Sequence, residues 1–349
     1  MNESSKPCGV HLVGSVPLAS EEDVFRTMSE VLGDRLRRMP DGETGARFMW
    51  IGWQIELLAK VPQLEMVAAG PASVTPQPHF RLREGVDPRA VDFGNFGYAD
   101  AALGSYAIFE RLQQEGVIPA ACRFQVSIPT PLAGASAWLP ENFPELDEPF
   151  ERVMLAELDR ILAGIPHEKL AIQWDVCVEV WMWEGWIPVP FAPIREGIVE
   201  RIVRLGDAVP DDIELGFHLC YGDYEHKHLQ EPEDTTVAVT IANELSARIA
   251  RPIHWVHLPV PIERDDDAYF APLADLKLHP ETELYLGLVH FRDGVEGAGR
   301  RIEAAKKVVP EFGVATECGM GRRPPDRGGS EDTLQPLLQM HAATSRTVR

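Results

Sequence analysis

Positive charge is scarce in this sequence. Lys and Arg number 33 against 54 Asp and Glu, which leaves a formal net charge of −21 over 349 residues. Such a chain repels phosphate backbones and anionic lipid surfaces, so nucleic-acid binding is not expected. Long apolar runs are missing too. The most apolar stretch, 178–194, is broken by Glu179, Glu184 and three prolines, and falls short of the roughly 18–20 residues a membrane span needs. No apolar signal core follows the first residues, MNESSKPCG, so a cytoplasmic location is expected. Cysteine is sparse and odd in number: Cys8, Cys122, Cys177, Cys220 and Cys318. That is no disulfide framework, and metal binding or catalysis is the better use for these thiols. No Gly-x-Ser-x-Gly elbow supports serine hydrolysis. No glycine-rich phosphate turn follows the first apolar segment.

What is present is alternation. Short apolar segments at 9–16, 35–39, 123–128, 170–176, 213–219, 253–258, 284–289 and 313–316 read as eight strands. Between most of them lie helical patterns, at 20–32, 99–114, 149–162, 194–205, 235–249, 268–276, 294–309 and 331–343. The sequence therefore predicts an α/β protein: a single (β/α)8 TIM barrel spanning 1–349. Residues 61–98 are rich in Pro, Gly and aromatics with little periodicity. They read as an insertion in the second βα connection, a long loop over one mouth of the barrel.

Chemistry in such barrels collects at the C-terminal ends of the strands, and here those ends carry reactive groups. Asp41 and Glu43 follow the second segment, Ser127 lies in the third, and Asp175, Cys177 and Glu179 follow the fourth. His218 and Cys220 end the fifth, His257 the sixth, His290 the seventh, and Glu317 and Cys318 the eighth. His218 and Cys220 are two apart, so on a strand both point to one side. Cys318 can reach the same mouth if the barrel closes. Two thiolates and one imidazole suit zinc, which is normally four-coordinate. A His-x-Cys pair alone is also compatible with a buried histidine beside a buried thiol. His226 and His228 sit in a loop with Glu and Lys and read as solvated.

Several of these motifs resemble, in order, the C-terminal barrel of cobalamin-independent methionine synthase and the related epoxyalkane:coenzyme M transferase. The motifs are His11-Leu-Val-Gly-Ser-Val-Pro17, Pro40-Asp-Gly-Glu43, Ile172-Gln-Trp-Asp175, Gly216-Phe-His-Leu-Cys-Tyr-Gly222 and Thr316-Glu-Cys-Gly-Met-Gly321. The resemblance implies zinc on His218, Cys220 and Cys318. The family's fourth ligand is a Glu, where this sequence offers His257, with Glu263 a few residues on. It implies His290 as a proton shuttle, and Asp175 and Glu43 as contacts for the amino group of a thiol substrate. Ser15, Asp41, Ser127, Glu179 and Trp174 are further candidates for substrate contact. The Pro-Ala-Leu that usually follows Ile-Gln-x-Asp is replaced by Val176-Cys177-Val178-Glu179, a departure at the amino-acid-thiol site.

The expected function is a zinc-dependent transferase in which a zinc-activated thiolate attacks a methyl or epoxide carbon. Its partners would be a small-molecule thiol and an alkyl donor, with a homo-oligomer left open. The alternatives are a metal-free lyase similar to uroporphyrinogen decarboxylase, and a barrel that binds zinc or thiols without turnover.

Overall fold

The computed structural model describes residues 6–68, 77–222, 228–321 and 329–348. The chain is an α/β protein built on a curled, parallel, seven-stranded sheet. Its strands are β1 (Arg38–Pro40), β4 (Arg123–Pro129), β5 (Leu170–Val176), β6 (Glu214–Leu219), β7 (Trp255–Pro259), β8 (Glu283–Gly287) and β9 (Gly313–Val314), paired in that order. An antiparallel pair, β2 (Leu64–Val67) and β3 (His79–Leu82), stands apart. Strands β5 to β9 read as near-continuous apolar runs because helices cover the outside while side chains fill the inside.

The first expected strand, 9–16, does not form as such. Within it only Val10 makes bridges, to Leu36 beside β1 and to Val314 in β9. One residue thus touches both edges of the sheet, which shows how far the sheet curls. Gly9, at φ +80°, lies outside the β region on one side of Val10.

The helices are α1 (Glu21–Leu32), α2 (Gln54–Leu58), α3 (Tyr98–Gln114), α4 (Pro131–Trp138), α5 (Phe143–Gly164), α6 (Val178–Glu184), α7 (Ile194–Asp207), α8 (Thr236–Arg248), α9 (Asp267–Phe270), α10 (Gly294–Lys306) and α11 (Glu331–Thr344). The start of α1 follows from its sequence: the Ser20 side chain accepts from the Asp23 amide at 3.2 Å, and three acids fill the first turn. Helix α5 begins six residues before the expected Pro149, because burial of Phe143 and Leu146 outweighs the amide that Pro149 lacks. The stretch 61–98, expected as loop, contains the β2–β3 pair instead. No helix among the described residues is long and apolar enough to cross a membrane.

At the N-terminal ends of the strands a polar plug fills the interior. Arg38 is 4% exposed, bonds Glu214 and Glu283, and lies 4.2 Å from the Trp255 ring centroid. Above it His11 Nε2 meets Gln173 Oε1 at 2.8 Å. The Gln173 amide donates to the Val13 carbonyl at 2.7 Å and to Asp175 Oδ1 at 2.9 Å. Burial first, then the repulsion that a second proton on the His11–His257 pair would meet and the Arg38 charge, hold His11 well below its ordinary pKa.

Candidate metal centre and cavity

The C-terminal ends of β5, β6 and β7 lie side by side in register: Asp175 beside His218, His218 beside His257. All three are buried. Cys220 follows β6 directly, held by its amide donating to the Val176 carbonyl at 2.8 Å. Cys318 arrives from beyond β9, on a turn fixed by the Thr316 hydroxyl donating to the Cys318 carbonyl at 2.6 Å. Ser15 anchors that turn: its carbonyl accepts from the Met320 amide at 2.7 Å and from Gly321 at 3.1 Å. Gly319 is required there, since a Cβ would stand 2.2 Å from Ser15 Oγ.

The result is one corner of soft donors. A ring nitrogen of His218 and the sulfurs of Cys220 and Cys318 all lie within 4.8 Å of one another. The two sulfurs are 3.8 Å apart, and the Gly222 amide donates to Cys220 Sγ at 3.2 Å. That amide stabilises negative charge on the sulfur. The corner opens on a cavity of about 510 Å³. Phe48, Trp50, Ile51, Trp138, Val178 and Trp181 contribute apolar wall. Ser15, Glu43 and Asp175 contribute polar groups.

His257 does not fall in the donor group. Its Nδ1 is 2.7 Å from His218 Nδ1, and its Nε2 is 3.1 Å from the Thr316 carbonyl. Burial pushes its pKa down to about 3, so the ring is neutral. The contacts then fix both tautomers. A carbonyl only accepts, so His257 Nε2 carries the proton and its Nδ1 accepts from His218 Nδ1. The lone pair of His218 is left on Nε2, the nitrogen turned away from His257. A metal-binding histidine is held in this way by a neighbour on its other nitrogen. Both nitrogens of His257 thus have partners within the chain, and it is not among the converging donors. Glu263, the other candidate, is exposed.

The remaining expectations divide clearly. Glu43 and Asp175 line the cavity. Asp175 Oδ2 accepts from the Trp50 indole at 3.2 Å. Glu43 and Trp50 both hold positive φ, +49° and +55°, a conformation that costs non-glycine residues energy and collects at functional sites. Asp41 supports that turn instead of facing the cavity. It accepts from the Glu43 amide at 3.0 Å, from Ser105 at 2.7 Å and from Arg47 at 2.7 Å. Burial pushes its pKa up, but the Arg47 pair and these hydrogen bonds outweigh it and leave it lowered.

Besides Asp41 and His257, four more expected residues lie outside the cavity lining. Trp174 points away because neighbours on a strand face opposite sides. It is fully buried, and its indole donates to the Leu205 carbonyl of α7 at 3.1 Å. Ser127 donates to the Val13 carbonyl at 3.0 Å, among the interior glutamines. Glu179 is fully buried in α6, and burial pushes its pKa up to about 7. His290 sits between the Glu317 carboxylate, 3.2 Å from Nδ1, and the Val260 carbonyl, 2.9 Å from Nε2. His226 lies outside the described residues. The residues that sequence reasoning missed are Phe48, Trp50, Ile51 and Trp138, which carry no periodic signal and come from turns or short helices.

No protein-family profile matches this sequence, and no curated protein matches it. A crystal structure from Listeria monocytogenes, described as a candidate vitamin-B12-independent methionine synthase, superposes on the chain. The TM-score is 0.56, the identity 14%, and the match covers 97% of this chain and 98% of that one. The fold is shared. At this identity the likeness carries the fold alone and leaves the chemistry to the site itself.

Proposed function

We propose that the protein is a zinc-dependent transferase in which a thiolate attacks an alkyl carbon, either the methyl of a methyl donor or an epoxide carbon; the carbon–sulfur bond forms as the bond from that carbon to the donor's heteroatom, or to the epoxide oxygen, breaks, and the electron pair leaves on that atom, which takes up a proton where it needs one. The observation that carries this reading is the buried corner of His218, Cys220 and Cys318 opening on a cavity. Two thiols and one imidazole with its lone pair set on Nε2 are the donor chemistry zinc prefers. Zinc held there would keep a substrate thiol deprotonated at neutral pH.

The chain's own residues do the rest. Asp175, fixed by Gln173 and Trp50, and Glu43 face the cavity and suit a cationic group on the thiol. Trp50 and Trp181 pack against the thiol corner and exclude water from it. His290, outside the lining, is assigned no contact with substrate. The proposal takes the fold as a closed eight-stranded barrel, one domain, with the segment about Val10 as the eighth strand. A polycarboxylate substrate suits the cavity poorly, since the charged side chains among its described lining residues are Glu43 and Asp175.

Elemental analysis tests the reading. One zinc per chain, lost in both Cys220→Ala and Cys318→Ser, is the expected result and justifies screening thiols against methyl donors and epoxides. A chelator-free preparation that holds no zinc and takes none up on titration sinks it.

A further inference from the structure

Aromatic rings crowd the two turns that carry the thiols. Gly222 stands two residues after Cys220, and a Cβ on it would collide with the Trp181 ring. Gly321 stands three residues after Cys318, and a Cβ there would meet the Phe48 ring at 2.8 Å. Trp50 packs with Trp181 against the buried cysteines, and its indole donates to Asp175 Oδ2 at 3.2 Å. Trp138 adds another ring to the same cavity wall.

Carboxylates stand among these rings. Glu43 and Asp175 line the cavity, and Glu43 Oε1 lies against the Gly14 backbone, closer than a Cβ there would permit. Gln173 and Trp50 hold Asp175 through neutral N–H groups, which orient the carboxylate without supplying a counter-charge. Lys and Arg are absent from the described lining residues. The face of a π-system attracts a cation within about 6 Å, most strongly where water is excluded, and walls of several rings suit quaternary ammonium groups. Two carboxylates can answer two cations, one on the thiol and one on the donor.

We propose that the cavity takes a methylated onium ion, a sulfonium or a quaternary ammonium, and that this ion is the alkyl donor. This rests on the transferase reading and narrows it to methyl transfer. An electron pair of the thiolate sulfur forms the new carbon–sulfur bond. The bond from the methyl carbon to the onium atom breaks, and its pair stays on that atom. A neutral thioether or tertiary amine leaves, and it needs no proton. That matches the cavity, since His290, the expected proton shuttle, lies outside the lining. An epoxide oxygen would leave as an alkoxide and require one. Opposite charges cancel along the onium path, and an apolar wall favours their approach because it screens their attraction less than water does.

Binding is read first, on the metal-free full chain by calorimetric titration. Choline carries the cation, and the alcohol in which a tert-butyl group replaces its trimethylammonium has the same shape without charge. Choline should bind about tenfold tighter than that alcohol. Trp181→Leu and Glu43→Gln should each remove most of the preference. Equal affinity for the two ligands overturns the proposal, as does a preference that survives in both folded variants. If neither variant folds, the wild-type comparison decides, since it needs no substitution. The donor role is read on the zinc-loaded chain, with homocysteine, cysteine and cysteamine as thiols. Trimethylsulfonium and choline are offered in separate arms, and mass spectrometry reads the S-methyl product. Product from either arm supports the donor role and names the onium atom, and product from neither overturns it. Zinc content is measured on the same preparation. A chain that holds zinc but fails these tests loses the onium donor and keeps the metal reading. A chain that takes up no zinc brings down the transferase reading, and the donor role with it.

Discussion

Two buried polar clusters occupy opposite ends of the same sheet, and they are built on opposite principles. At the N-terminal ends of the strands, Arg38 is matched by Glu214 and Glu283 and roofed by the Trp255 ring. Charge there is answered by charge within the protein. At the C-terminal ends, His218, Cys220 and Cys318 converge within 4.8 Å of one another. Soft donors face one another, and the polar bonds nearby serve to aim them. The first cluster is closed by its own ion pairs, and the second gathers soft donors beside the cavity. Under the proposed function, this is the division between a stabilising and a working face that parallel barrels show.

The comparison breaks most sharply at the thiol corner. Cys220→Ala should abolish stoichiometric zinc, read by elemental analysis, while the metal-free form keeps a denaturant midpoint near that of the metal-free wild type. Arg38→Met should do the reverse. It strips a partner from two half-buried carboxylates and should cost about 3 kcal/mol in chemical denaturation, with zinc per folded chain unchanged.

A third buried group belongs to neither cluster and gives an internal control. Glu179 has its pKa raised to about 7 in the folded chain, from an ordinary value of 4.5. It is protonated in both states below pH 4.5, so it costs nothing there. Between pH 4.5 and 7 the unfolded chain gives up the proton while the folded chain keeps it, so stability falls across that window and levels off above 7. Glu179→Gln should therefore stabilise the protein at pH 8 by on the order of 3 kcal/mol and leave pH 4 unchanged. Equal effects at both pH values would contradict the assignment.

The smallest expected effect sharpens the working face. His257→Leu removes the neighbour that sets the His218 tautomer and should weaken zinc binding about 10–100-fold in competition with a chromogenic chelator. Complete loss of zinc would instead make His257 a ligand.

Much of this was legible in the sequence. The strands β4 to β8 were readable because runs buried on both faces are apolar from end to end, and the His-x-Cys spacing places both side chains on one side of a strand. The same period of two, applied to Ile172-Gln-Trp-Asp175, would have turned Trp174 away from the cavity beside Asp175. Helix α4 left little trace because Pro131-Leu-Ala-Gly-Ala-Ser is buried nearly all round and shows no amphipathic period. Its signal was the Thr130 cap followed by Pro131 at the first helical position. Helix α6, rich in β-branched and aromatic residues, reads as strand by propensity. Gly185, left-handed at φ +77°, marks where it stops. Trp50 and Phe48 come from a turn whose shape depends on Asp41 and Arg47, a tertiary matter that local pattern does not encode. That His257 stands behind His218, outside the group of converging donors, likewise depends on where neighbouring strands bring their ends.

The junction at Val10 has a consequence for motion. Around it, the 8–11 segment is fastened to one edge through the Arg35 carbonyl and to the other through Phe312 and Val314, a thin line of bonds beside the long ladders of β4 to β6. Amide hydrogens along that line should exchange with solvent before those of the central strands. Ser15, farther along the same segment, grips the turn that bears Cys318. A metal clasping Cys318 to Cys220 would therefore also act as a rivet across the seam, and slower exchange at His11 and Val314 would report its arrival.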